Sequence, residues 1–130
     1  MRTSTTKEES KMENIGKDMA RVACAALEEK KAEDIKVISI EKVSTLADYF
    51  IIASGSNRNQ IQAMVDSVDE EMEKAGYIKK QVEGYQNANW ILLDYGDLVI
   101  HVFDTDNRLF YDLERIWRDG ESIEIAKLDE

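Results

Sequence analysis

The sequence predicts an α/β (α+β) single domain, a mixed β-sheet of about five strands flanked by helices. Three stretches carry that prediction. DYFIIAS, residues 48–54, is a continuous apolar run, as expected of a strand covered on both faces. QIQAMVDSVDEEMEK places Ile61, Met64, Val65, Val68 and Met72 on one helical stripe, with acidic residues largely outside it. WILLDYGDLVIHVF, Trp90 to Phe103, reads as two strands about a Gly96-Asp97 turn.

The remaining elements fall into place around these three. Residues 1–12 are polar and aperiodic, and are expected to be disordered. From Asn14 to about Lys31, Ile15, Met19, Val22, Ala23, Ala26 and Leu27 recur at helical spacing. DIKVISI, 34–40, is rich in β-branched residues and reads as a strand. After DYFIIAS, Gly55 permits a sharp exit and Ser56 or Asn57 can cap the next helix. Gly76 stands where a left-handed residue ends that helix, with Tyr77 able to fold back onto Met72. IKKQVEG alternates polar residues, as a strand near a sheet edge does. GYQNAN is a loop. DTDN can open a last helix in which Leu109, Phe110, Leu113, Ile116 and Trp117 share a face, ended by Gly120. The reading divides the chain into a tail over 1–12, one domain over 13–120 and a peripheral tail over 121–130.

Composition narrows the function. With 130 residues, 43% hydrophobic and 34% charged, the chain has enough apolar material for one core. No apolar run approaches the roughly 20 residues that span a bilayer. MRTSTTKEESKMEN lacks a signal-peptide core, and Glu8, Glu9 and Glu13 argue against an organelle transit peptide, so a cytoplasmic location is expected. Cys24 is the single cysteine, set in VACAAL as a small buried residue, and one Cys with one His leaves no plausible zinc site. The net charge of −10 makes the chain a poor direct reader of nucleic acid; it suits steering toward a basic partner and equally a role in solubility alone.

Few residues suggest catalysis. SGSN between strand and helix could cradle an anion, but neither GxxxxGK[ST] nor GxGxxG is present, so a tight turn with a helix cap is the better reading. Asp94 and Asp97 flank a turn; convergence on a metal is weighed below ordinary turn chemistry. His101 shares a strand face with Val99 and Phe103, and a lone strand histidine is more often packed than catalytic. Trp90 opens its strand beside a polar loop, where it serves equally well as core or as an interface anchor. Trp117 is better placed for core packing.

ADYFIIASGSNRNQIQAM, VEGYQNANWILLDYGDLVIHVF and RLFYDLERIW, taken together and in this order, resemble the Iojap-related ribosomal silencing factor family, RsfS, over about residues 14–118. The resemblance implies a nucleotidyltransferase-like fold without that activity, and no cofactor. It implies binding to the large ribosomal subunit through its protein L-fourteen, which blocks joining to the small subunit and represses translation. It places partner contacts around Trp90, Leu92, Leu93, Asp94, Tyr95 and Asp97, with the Trp90 end and Tyr95 turned outward. Organelle relatives act in large-subunit assembly, and relatives form homodimers. Many relatives read H-x-F-H-P after the last strand; here it is His101-Val102-Phe103-Asp104-Thr105, which removes a second histidine. The rival readings are an enzyme acting through Ser56, Asp94 and Asp97, and a structural homodimer paired through its apolar hairpin.

Overall fold

A computed structural model describes residues 15–42, 45, 47–86, 89–105 and 120–129. Helix α1 spans Ile15–Glu29 and buries Met19, Ala20, Ala23, Cys24, Ala26 and Leu27. Burial, with the charge of Glu28 added, pushes the Cys24 thiol up to about 12, so it packs as an inert small residue. Strand β1 (Glu33–Ser39) follows, then β2 (Tyr49–Gly55). All of β2 except half-buried Phe50 lies out of solvent, as its unbroken apolar run predicts.

Helix α2 covers Arg58–Lys74. Asn57 caps it, its side chain accepting from the Gln60 backbone N–H at 2.8 Å. At the other end the Tyr77 N–H returns to the Met72 carbonyl at 2.9 Å across Gly76, whose φ of +90° suits a residue without a side chain. Tyr77 then docks beside α1, its hydroxyl donating to Asp18. Strand β3 is only Gln81–Glu83, shorter than the run from Ile78 to Gly84 suggested. The hairpin is β4 (Trp90–Asp94) and β5 (Leu98–Asp104).

Among the described residues the sheet has six strands in the order β3-β4-β5-β2-β1-β6, against the five or so expected. The additional strand, β6 (Glu121–Ile123), pairs antiparallel with β1. A 3-10 turn, Ile125–Asp129, follows and buries Leu128 in the main core. Thus the segment expected as a peripheral tail completes one edge of the sheet and contributes to the core. Only β2 and β5 run parallel; the other neighbours are antiparallel. The short β3, each of whose residues is exposed, forms the opposite edge, as its polar alternation predicts.

The two sheet faces have different roles. One is covered by α1 and α2, which enclose Val37, Ile51, Ala53, Ile91, Leu93, Leu98, Ile100 and Val102. The other carries a smaller cluster of Ile38, Ile40, Ala47, Ile52 and Phe103, joined by Phe50 and Val99. The tail over 1–12 and the helix expected after DTDN, with Leu109, Phe110, Leu113, Ile116 and Trp117, lie outside the described residues. Among the described residues no helix is long and apolar enough to cross a membrane.

Candidate docking site

The hairpin divides its residues by parity. In the β4–β5 register Trp90 lies opposite Phe103, Leu92 opposite His101 and Asp94 opposite Val99. These six share the face away from the helices. Ile91, Leu93 and Tyr95 project to the other side and are buried in the main core.

Trp90 is held from several directions. The loop preceding it is fastened to α2: Tyr85 donates its hydroxyl to Asp66 at 3.0 Å, and Gln62 donates to the Tyr85 carbonyl at 3.0 Å. Arg58 also donates to the Gln86 carbonyl. The indole stacks on Phe103, with ring centroids 5.7 Å apart and planes inclined by 16°. Its N–H donates to Nδ1 of His101 at 2.9 Å. Even so, the residue is 36% exposed.

His101 lies at the N–H edge of this ring, 4% exposed, in a T-shaped contact with Phe50 at 5.6 Å between centroids. Burial pushes its pKa down to about 4. Since an indole N–H can only donate, Nδ1 must be unprotonated, and the neutral imidazole carries its proton on Nε2. The hydrogen bond and burial agree on the same charge state.

At the turn end of the hairpin, Oδ1 of Asp94 accepts from the Gly96 backbone N–H at 2.8 Å, the turn chemistry favoured from sequence. The Asp97 carbonyl accepts from the backbone N–H groups of Asp48 and Tyr49, at 2.9 and 3.0 Å. Burial and then the nearby charge of Asp97 raise the Asp48 pKa. Asp48 and Asp97 therefore bring negative charge together at this corner, with Asp94 on the same turn.

The structure thus sorts the six expected contact residues. Trp90 and Asp97 are exposed, and Leu92 and Asp94 are half-buried. Leu93 is fully buried and Tyr95 is 3% exposed, its hydroxyl turned to Asp69 at 3.4 Å. The expectation that Tyr95 turns outward is corrected: it lies on the same face as Ile91 and Leu93, which α1 and α2 cover.

The constellation Ser56, Asp94 and Asp97 is not assembled. The start of β2 pairs with the start of β5, Tyr49 with Leu98, and the end of β2 pairs with its end, Gly55 with Asp104. Asp97 sits at the first end and Ser56 at the second, roughly 20 Å apart at the usual strand rise. Ser56 instead donates from its hydroxyl and its backbone N–H to Oε1 of Gln60, at 2.9 and 2.7 Å. Among the described residues no group of three or more His, Cys, Asp or Glu side chains could hold a metal ion.

The Trp90–His101 bond and the fastening of the loop to α2 were not anticipated from sequence. The first has a readable signal. A hairpin pairing residue 92 with residue 101 makes His101 the diagonal neighbour of Trp90, within reach of an aromatic side chain.

Fold and site together define a small α+β domain whose hairpin carries a supported aromatic corner at one end and an acidic corner at the other. The chain belongs to the ribosomal silencing factor family: residues 13–130 match the family model described as ribosomal silencing factor during starvation. It is 40% identical over 104 residues to the ribosomal silencing factor RsfS of Bacillus subtilis, a match covering 80% of this chain and 88% of that protein. It is 31% identical over 96 residues to the Mus musculus protein named mitochondrial assembly of ribosomal large subunit protein 1. That match covers 70% of this chain and 41% of the mouse protein. A crystal structure of a Bacillus halodurans protein superposes with a TM-score of 0.76 at 34% identity, covering 82% of this chain and 97% of that one.

Proposed function

We propose that this protein binds the large ribosomal subunit through ribosomal protein L-fourteen and stops the small subunit from joining, as a cytoplasmic repressor of translation that acts sterically and without a cofactor. The observation that carries this reading is the partly exposed Trp90, held by Phe103 and His101 at one end of the hairpin, with the exposed Asp97 at its turn end, on a chain of net charge −10. An aromatic anchor supplies affinity, while the chain's net negative charge steers toward a basic ribosomal protein. The contact set is Trp90, Leu92, Asp94 and Asp97, with Leu93 and Tyr95 supporting it from the core. An interface of standard size, roughly 1,600 Å² in total, is adequate for such a blocker.

The test is subunit joining. Purified protein at saturating dose, mixed with purified subunits and sedimented through a sucrose gradient, should travel with large subunits and reduce the joined-ribosome peak. Undiminished joining at saturation defeats the proposal.

A role in large-subunit assembly is the second reading, supported by the name of the mouse mitochondrial relative. Accumulation of immature large subunits in cells lacking the protein, with normal joining of mature subunits, would favour it. Self-association is a third use of the surface. Ile78 and Val82, exposed at and beside edge strand β3, support it, and solution molar mass measures it.

A further inference from the structure

We infer that His101 is a positioning residue for the docking surface: through Nδ1 it fixes the Trp90 indole in the orientation presented to a partner. The inference rests on the proposed use of Trp90 as an anchor, but concerns a buried residue that no partner would touch.

The geometry separates this role from simple packing. A packed aromatic of similar size at residue 101 could also lie beside Trp90, but only an acceptor can engage the indole N–H. Stacking on Phe103, at 5.7 Å and 16°, sets the plane of the ring. Stacking alone still permits the ring to flip about its Cβ–Cγ bond, two orientations that share a plane and point the N–H to opposite sides. The bond to Nδ1, at 2.9 Å, selects one of these orientations.

His101 is itself held still. It is buried on the middle of β5, opposite Leu92 on one side and Ile52 on the other, with Phe50 in T-shaped contact with it. The acceptor is therefore fixed before a partner arrives. An anchor already in its bound orientation loses less rotational freedom on association, which strengthens binding without adding a contact.

The test compares His101→Leu, which removes the acceptor, with His101→Asn, whose side-chain oxygen can stand near the position of Nδ1. Two quantities are read: affinity for purified large subunits, and the Trp90 indole N–H resonance in ¹⁵N-labelled protein, assigned by its absence from Trp90→Phe. The Leu variant should shift that resonance to the position of an unbonded indole and weaken binding about tenfold, the scale of one lost buried hydrogen bond. The Asn variant should restore both. Full affinity in a folded Leu variant overturns the inference, as does an Asn variant that recovers the bonded resonance but not the binding.

If the Leu variant does not fold, the wild-type protein decides. A scalar coupling through the hydrogen bond, between the indole nitrogen and Nδ1 of His101, should be observed, and its absence overturns the inference. Failure of the underlying reading looks different. If Trp90→Ala binds large subunits as wild type does, Trp90 is not the anchor. If Trp90→Ala loses binding while His101→Leu keeps it, only the positioning role is lost.

Discussion

The carbonyl oxygen of Trp90 occupies the space that a side chain on residue 84 would need: a Cβ built on Gly84 would lie 2.2 Å from it. Gly84 also has φ of +79°, in the left-handed region. The glycine between Glu83 and Tyr85 thus lets the loop pass against the first residue of β4. Replacing it with alanine combines a backbone clash with an unfavourable φ. Gly84→Ala should lower stability by about 3 kcal/mol, measured by urea denaturation. An unchanged midpoint would mean that the loop relaxes freely.

Trp90→Ala removes the half-exposed anchor. If Trp90 is a hot spot, affinity for large subunits should fall by about 2 kcal/mol or more, roughly thirtyfold. The loss is to be measured on protein whose circular dichroism matches wild type, since the ring also stacks on Phe103.

Tyr95 should act through stability alone. Its ring is buried and its hydroxyl reaches Asp69 at only 3.4 Å, a weak bond. Tyr95→Phe should change stability by less than about 1 kcal/mol and leave ribosome binding intact. Tyr95→Ala should lower stability by roughly 3–5 kcal/mol, as large-to-small core substitutions do. Selective loss of ribosome binding in Tyr95→Phe would return this residue to the interface.

Acid should weaken the fold through His101. Its folded pKa is lowered from 6.5 to about 4, so the unfolded chain takes up a proton that the folded one refuses. The native state is unpenalised above about pH 6.5, and stability falls as pH drops from there toward 4. The full effect is about 3 kcal/mol. Urea midpoints of wild type and His101→Asn at pH 7 and pH 4.5 would measure it, wild type losing more of its stability than the variant. Equal losses would show that His101 takes no part in the acid response.

The legibility of the chain follows the range of the interactions involved. Helix α2 was plain because its signals are local: a five-residue apolar stripe, Asn57 before it and Gly76 after it. Strand β2 was plain because central burial leaves an unbroken apolar run. Strand β6 was missed because ESI is short and finds its partner, β1, some eighty residues earlier; nothing local marks that pairing. The misreading of Tyr95 was avoidable. Trp90 and Tyr95 are five apart on one strand path, and an odd separation places them on opposite faces unless a bulge intervenes. The aromatic contact between Trp90 and His101 needed the hairpin register, which the turn at Gly96-Asp97 could have supplied.

Because Trp90 stands partly in water against a buried imidazole, it is also an optical reporter at the proposed point of contact. Covering the indole would move its emission toward shorter wavelengths. Assembly with a ribosomal protein could then be followed in real time on unlabelled protein, with Trp90→Phe supplying the blank.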